Sequence, residues 1–300
     1  ADYDVVQISL EGGGIRDQVA TARADVAPAW SPDGAHFAYA TDRNGDPEIW
    51  LRTVSDGSER RIVGPEGIGA APFLDLAFSP DGKRLAFRES TRHRIWIAPL
   101  TGEAPVEMWH DSTNSPQRGP SWSPDGNSLA YYGVKDNKPA LMRMQVGSNA
   151  VPVALAFMQR AFPVRWSPRG DWILYRDGDS MHVVSPDGKQ NKTIAQGIWE
   201  TFGWSKDGKS ALGVVRVPGR RLSLRQVDVD SGRESQMADL GPVPPEFDLG
   251  EAFNEFGLRG FSLHPDGKSF LTSILRFRTD IYTMKDFDKR ERWIDRLFGR

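Results

Sequence analysis

Three hundred residues, 39% of them hydrophobic and 26% charged, can bury a sizeable core, and all-β closed folds use this length as one domain. A formal charge of −2 and a pI near 6.3 offer no concentrated basic face for nucleic acid, and no apolar run approaches the roughly 18–20 residues that span a bilayer. The absence of cysteine removes disulfides, zinc–thiolate sites and thiol catalysis together, and leaves the redox compartment open.

The chain opens on Ala1-Asp2-Tyr3 without Met, so a processed protein or a piece of a longer one is expected. Tyr3 to Leu10 reads as a strand, followed by a turn at Gly12-Gly13-Gly14. One signature then recurs: Trp30-Ser31-Pro32-Asp33-Gly34, Phe78-Ser79-Pro80-Asp81-Gly82 and Trp122-Ser123-Pro124-Asp125-Gly126. Looser copies follow at Trp166-Ser167-Pro168-Arg169-Gly170, Trp204-Ser205-Lys206-Asp207-Gly208 and Leu263-His264-Pro265-Asp266-Gly267. The glycines are 48, 44, 44, 38 and 59 residues apart, the spacing of propeller blades with an insertion before the last.

The signature is a tight turn. Proline pre-sets φ, aspartate bonds the local backbone, and glycine takes the left-handed conformation that closes the hairpin. Each turn is followed by an apolar strand such as His36–Ala40 or Arg84–Phe87, then by a third such as Glu48–Leu51 or Arg94–Ile97. Turns at Asp56-Gly57, Thr101-Gly102, Asp187-Gly188 and Ser231-Gly232 lead to short polar outer strands. Four strands per unit without helical periodicity predict an all-β fold. It is a β-propeller of four-stranded antiparallel blades, six by the turn count, with seven allowed by the N-terminal residues. The last unit reaches its third strand at Asp280–Met284, so an N-terminal strand is expected to complete that blade and close the ring.

Ala29–Gly34, Ala38-Tyr39 and Thr41–Trp50 resemble the WD40-like repeat of TolB-type propellers, and the resemblance covers roughly residues 1–285. That family includes periplasmic TolB, propellers of prolyl-oligopeptidase-like peptidases and carbohydrate-active propellers. The ending Ile281–Phe287, with Trp293 and Leu297-Phe298, looks most like sensor propellers fused to bacterial kinases or winged-helix regulators. The resemblance implies protein, peptide or small-ligand binding on the loop face, in a larger signalling or envelope protein. A monomer in a periplasmic or extracytoplasmic setting is the expectation. Arg169 stands where the family has Asp, and Lys206 where it has Pro.

Catalytic motifs are missing. There is no G-x-S-x-G elbow, H-E-x-x-H, P-loop or G-x-G-x-x-G, so no catalytic residue, metal or cofactor is expected. The competing class is a lyase or glycoside hydrolase with carboxylates or histidines gathered at the channel mouth. His110, beside Trp109 and Asp111, is the one histidine placed near such a mouth, and a solvated loop residue is its plainer reading.

Architecture supplies the better candidates, because innermost strands line a propeller's channel. The residues just before the repeat aromatics are Ala29, Ala77, Ser121, Arg165, Gly203 and Ser262, so Arg165 is the one charge in the row. Its alternatives are a paired or solvated arginine, or an anion receptor in a focusing cleft. The loops leading into these strands add Asp75, Trp109, His110, Arg118, Phe157, Met158, Arg160, Trp199, Glu200 and Arg259. Trp199 and Phe157 fit equally well as caps of blade cores. The Pro-rich insertion from Gly241 to Phe256 reads as a covering loop. Residues 286–300 form a separate tail, a short amphipathic helix with Trp293, Ile294, Leu297 and Phe298 on one face, expected to dock on the propeller rim.

Overall fold

The computed structural model describes residues 2–21, 23–108, 117–147, 151–159, 163–242 and 259–276. It opens on a hairpin of β1 (Asp2–Ser9) and β2 (Ile15–Val19). The first blade is β3 (Asp25–Trp30), β4 (His36–Thr41), β5 (Glu48–Thr53) and β6 (Glu59–Val63), and the second β7 (Phe73–Phe78), β8 (Arg84–Glu89), β9 (Arg94–Pro99) and β10 (Val106–Glu107). The third holds β11 (Arg118–Trp122), β12 (Ser128–Lys135), β13 (Lys138–Gln145) and β14 (Val153–Phe157). The fourth holds β15 (Val164–Trp166), β16 (Ile173–Asp177), β17 (Ser180–Val184) and β18 (Asn191–Gln196). The fifth holds β19 (Ile198–Trp204), β20 (Ser210–Val217), β21 (Arg221–Asp228) and β22 (Glu234–Pro242), and β23 (Arg259–Leu263) and β24 (Ser269–Arg276) begin the sixth. The result is a six-bladed propeller of four-stranded antiparallel sheets, with no helix among the described residues.

The sixth blade is shared between the two ends of the chain, in the order β2-β1-β24-β23. β1 pairs with β24 from Asp2↔Arg276 to Ser9↔Ser269, and the Leu10 amide donates to Lys268 O at 2.8 Å. The third place in that blade therefore belongs to β1 and not to Asp280–Met284, which lies outside the described residues together with 286–300. Pairing β1 there covers an edge of β24 that would otherwise recruit another chain.

The turns behave as their chemistry dictates. Ser31, Ser79 and Ser123 each donate Oγ–H to the turn aspartate and accept the amide five residues on, at 2.9–3.0 Å. The turn glycines Gly34, Gly82 and Gly126 sit at φ 70°, 68° and 69°. Lys206 changes nothing, since Ser205 still bonds Asp207 at 2.7 Å. Arg169 moves the acid two places along: Ser167 bonds Asp171 instead, at 2.6 Å.

The core lies between blades. Ile49 and Leu51 of the first pack on Leu85 and Phe87 of the second, and Val5, Val19 and Leu271 of the shared blade on Trp30, Phe37 and Tyr39. The repeat tryptophans stitch neighbours together: Trp122 Nε1 donates to Ala77 O at 3.0 Å and Trp204 Nε1 to Arg165 O at 2.8 Å. Each such ring contributes about 2–3 kcal/mol of burial, and its hydrogen bond fixes the height of one inner strand against the next. Inner-strand residues are thereby held around the axis.

Candidate functional site at the channel mouth

Counted back from the turn glycine, the inner strands align residue by residue. Seven positions before it stand Ala27, Asp75, Gly119, Pro163, Thr201 and Gly260, all lining one central cavity of about 480 Å³. Strand pairing slips at this point in five blades. Ala27, Asp75, Gly119 and Gly260 have φ of 55°, 56°, 61° and 83°. These are bulges with a left-handed residue, which bend the strand and re-aim its side chains. A non-glycine residue at that conformation costs about 1 kcal/mol, so Ala27 and Asp75 are the strained members of a column otherwise made of glycine, proline and threonine.

Asp75 offsets that strain through its partners. It accepts Arg88 Nε at 2.7 Å and the Gly119 amide of the next blade at 3.2 Å. Burial alone would raise its carboxyl, but Arg88, the Gly119 N–H and Arg165 together hold it below the usual carboxylate range. Arg88 Nη1 lies 3.3 Å from His93 Nδ1; because the guanidinium can only donate, His93 accepts there and carries its proton on Nε2. Burial, then the charges of Arg118 and Arg88, push His93 below its usual value and favour the neutral ring.

Two residues after the bulge lies the row that holds Arg165. Ala29, Ala77, Ser121, Arg165 and Ser262 all line the cavity, whereas a Cβ at Gly203 would collide with the Phe261 ring. Arg165 Nη1 donates to Val164 O at 2.9 Å, and it makes no ion pair among the described residues. Asp75, already held by Arg88, acts on it only at longer range. Burial lowers the Arg165 guanidinium from its usual value and Asp75 opposes this; an arginine remains charged regardless.

The structure thus brings Asp75, Arg118, Arg165, Trp199 and Glu200 to one cavity. Trp199 is 1% exposed and packs with Leu174, Val215 and Val227, so it serves mainly as core, and its carbonyl takes Arg176 Nη1 at 2.9 Å. Glu200 is held by Arg216 at 2.6 Å. Phe157 is on the outer strand β14, 57% exposed under Lys138, and Met158 is buried in the core. Arg259 starts β23. Trp109, His110, Arg160 and residues 243–258 lie outside the described residues.

Sequence reading missed Arg88, His93 and Arg176 in this wall. A signal for two of them exists: Arg88 and Arg176 each lie in a second strand after its apolar run, six residues after the turn glycine, where other blades have Ala40, Tyr132, Val214 and Ser273. A second hollow of about 630 Å³ opens beside the turns of the first two blades, against Pro32, Asp33, Phe78 and Asp81. Phe78 stands there where four other blades carry the larger tryptophan.

Fold and cavity define a six-bladed propeller with a charged central mouth. Residues 2–241 match the TolB beta propeller domain, and the chain belongs to that family. It is 28% identical over 184 residues to an uncharacterized protein of Agrobacterium fabrum, covering 58% of this chain and 60% of that one. It is 28% identical over 111 residues to the Tol-Pal system protein TolB of Anaeromyxobacter dehalogenans, covering 36% and 24% respectively. The chain therefore spans less than two thirds of the length of these relatives, 60% of the first and 24% of the second. Among solved structures, a putative TolB from Agrobacterium tumefaciens superposes with a TM-score of 0.68 at 20% identity, over 92% of this chain and 99% of that one. An oligogalacturonate lyase in complex with manganese superposes at 0.60 with 10% identity, over 88% and 76%. At these identities the superpositions speak for the fold alone.

Proposed function

We propose that this propeller is a non-catalytic module that binds a protein, peptide or small ligand at its channel mouth, as a sensory or scaffold part of a larger signalling or envelope protein. The observation that carries the reading is the mouth itself. All six inner strands bring aligned side chains to one cavity lined by Pro28, Pro120, Phe202 and Phe261 beside the charged groups. Apolar walls with a few placed polar groups are how recognition sites are built. The relative named as a Tol-Pal system protein supports an extracytoplasmic, envelope setting. Residues 1–285 would form one such domain.

An enzymatic mouth would need titratable groups left available for acid–base work or metal ligation. Here both carboxylates in the wall, Asp75 and Glu200, are engaged by arginines at 2.7 and 2.6 Å. Among the described residues no three His, Asp or Glu side chains gather as ligands. An Asp75 held below the usual range is also a poor general acid near neutrality. A photo-crosslinking residue placed at Ser90 in the mouth, or at Val153 on an outer strand, tests the reading. Partner capture at the first position and not the second is expected. Turnover of an oligogalacturonate by the purified propeller would overthrow it in favour of the lyase class.

A further inference from the structure

Among the described residues, Arg165 pairs with no carboxylate of the cavity wall. The wall also holds Arg88, Arg118 and Arg176, together with the carboxylates of Asp75 and Glu200. Asp75 is spent on Arg88 and Glu200 on Arg216, which stands outside the wall. Arg176 lies across two carbonyls, Gly178 O at 2.7 Å and Trp199 O at 2.9 Å, with Asp179 at 3.8 Å. Among the described residues Arg165 has a single hydrogen bond, to its own neighbour's carbonyl. Five donors in a planar fork, one of them used, face the cavity from a row that is otherwise Ala29, Ala77, Ser121, Gly203 and Ser262.

The hydroxyls add to this. Ser121 Oγ accepts the Trp166 amide and Ser262 Oγ accepts the Trp30 amide, both at 2.8 Å. Each backbone amide thereby fixes its serine oxygen in place and leaves the O–H as a donor to direct elsewhere. The polar groups offered by this row are donors, and they stand among Pro28, Leu76, Pro120, Phe202 and Phe261. Burying a guanidinium is costly unless something acidic meets it, and no acid in the described wall is left to do so.

From this we infer that the mouth is a receptor for a carboxylate carried on an apolar peptide segment, either the free carboxyl terminus of a peptide or an acidic residue within it, with Arg165 as the group that grips it. The inference rests on the channel-mouth reading above. A carboxylate is acceptor-only and matches the guanidinium fork with two parallel bonds. The apolar walls favour an anion attached to a hydrophobic body over a small, strongly hydrated one such as free phosphate.

The test is a calorimetric titration of the propeller with four probes: a five-residue apolar peptide with a free C-terminal carboxylate, the same peptide amidated, the amidated peptide with a central glutamate, and inorganic phosphate. Binding of the first, the third or both supports the inference, and which of them binds tells terminus from side chain. Arg165→Met should weaken that binding roughly tenfold or more, and Arg165→Lys should recover only part of it. Arg165→Met should also raise the melting temperature of the free protein, because it removes a half-buried charge that meets no carboxylate among the described residues; a fall would mean that Arg165 is structural and would overturn the proposal. So would equal binding of the neutral amidated peptide, binding of phosphate alone, no binding of any probe, or an unchanged affinity in Arg165→Met. If a peptide binds and reaches the crosslinker at position 90 but ignores Arg165→Met, the carboxylate inference fails and the mouth reading stands. If it binds without reaching position 90, the mouth reading fails as well.

Discussion

Replacing Asp75 separates the two roles assigned to it, charge partner and left-handed bulge residue. Its carboxylate holds Arg88 at 2.7 Å and the Gly119 amide at 3.2 Å, across two blades. The Arg88 side chain is only 10% exposed, so Asp75→Ala strands a buried guanidinium, a loss of about 3 kcal/mol, and alanine keeps the backbone strain at φ 56°. Asp75→Gly loses the same contacts but relieves about 1 kcal/mol of strain. Asp75→Asn tolerates the conformation and still offers one oxygen to Arg88, so it should cost least, about 1–2 kcal/mol. Urea unfolding at neutral pH should therefore rank the losses Asn, then Gly, then Ala, with the alanine variant melting roughly 6 °C below wild type. The folded carboxyl lies below its ordinary value of 3.8. Its contribution is thus complete above 3.8 and fades as the pH falls through the lower folded value, and the gap between wild type and Asp75→Asn should shrink there. Equal stability of all four proteins at pH 7, or a gap that persists in strong acid, would refute the reasoning.

Asp25 carries the opposite sign: it is fully buried, its Oδ1 lacks a hydrogen-bond partner among the described residues, and burial, with Asp4 adding to it, raises its pKa above 3.8. A raised carboxyl costs stability as the pH climbs from 3.8 through the folded value, so Asp25→Asn should gain about 1 kcal/mol at neutral pH and nothing in acid, read by melting curves at both. Trp204→Phe removes the indole donor to Arg165 O at 2.8 Å and leaves a gap between the fourth and fifth blades; a loss of about 1–3 kcal/mol in urea is expected, and a neutral result would deny the stitching role. Deleting residues 1–9 uncovers the edge of β24, so sedimentation should find aggregates where the intact protein stays dispersed.

The blade plan was legible because turn chemistry is local. Ser-Pro-Asp-Gly needs no tertiary partner to fix its conformation, and six copies fixed six blades even where Arg169 and Lys206 broke the pattern. Closure was harder to read. A third strand at Asp280–Met284 and a third strand at β1 satisfy the same hydrophobic pattern, and only the long-range pairing with β24 separates them. Arg165 stood out by contrast with small neighbours at one repeat position, since register alone carries that information. Arg88 is legible in the same way, as a charge at a second-strand position that four other blades leave uncharged, whereas His93 is not, because it sits outside the repeat at a left-handed φ of 55°. Trp199 shows the limit from the other side: an aromatic at the start of an inner strand reads the same whether it meets ligand or core, and here its ring is buried.

Hydrogen exchange on the propeller with a captured partner bound tests the central claim most directly. The account predicts slowed exchange in the inner-strand segments 27–29, 75–77, 119–121 and 201–202, which line the mouth, with the outer strands β6, β10, β14, β18 and β22 unchanged. Protection on those outer strands with an unchanged mouth would contradict it.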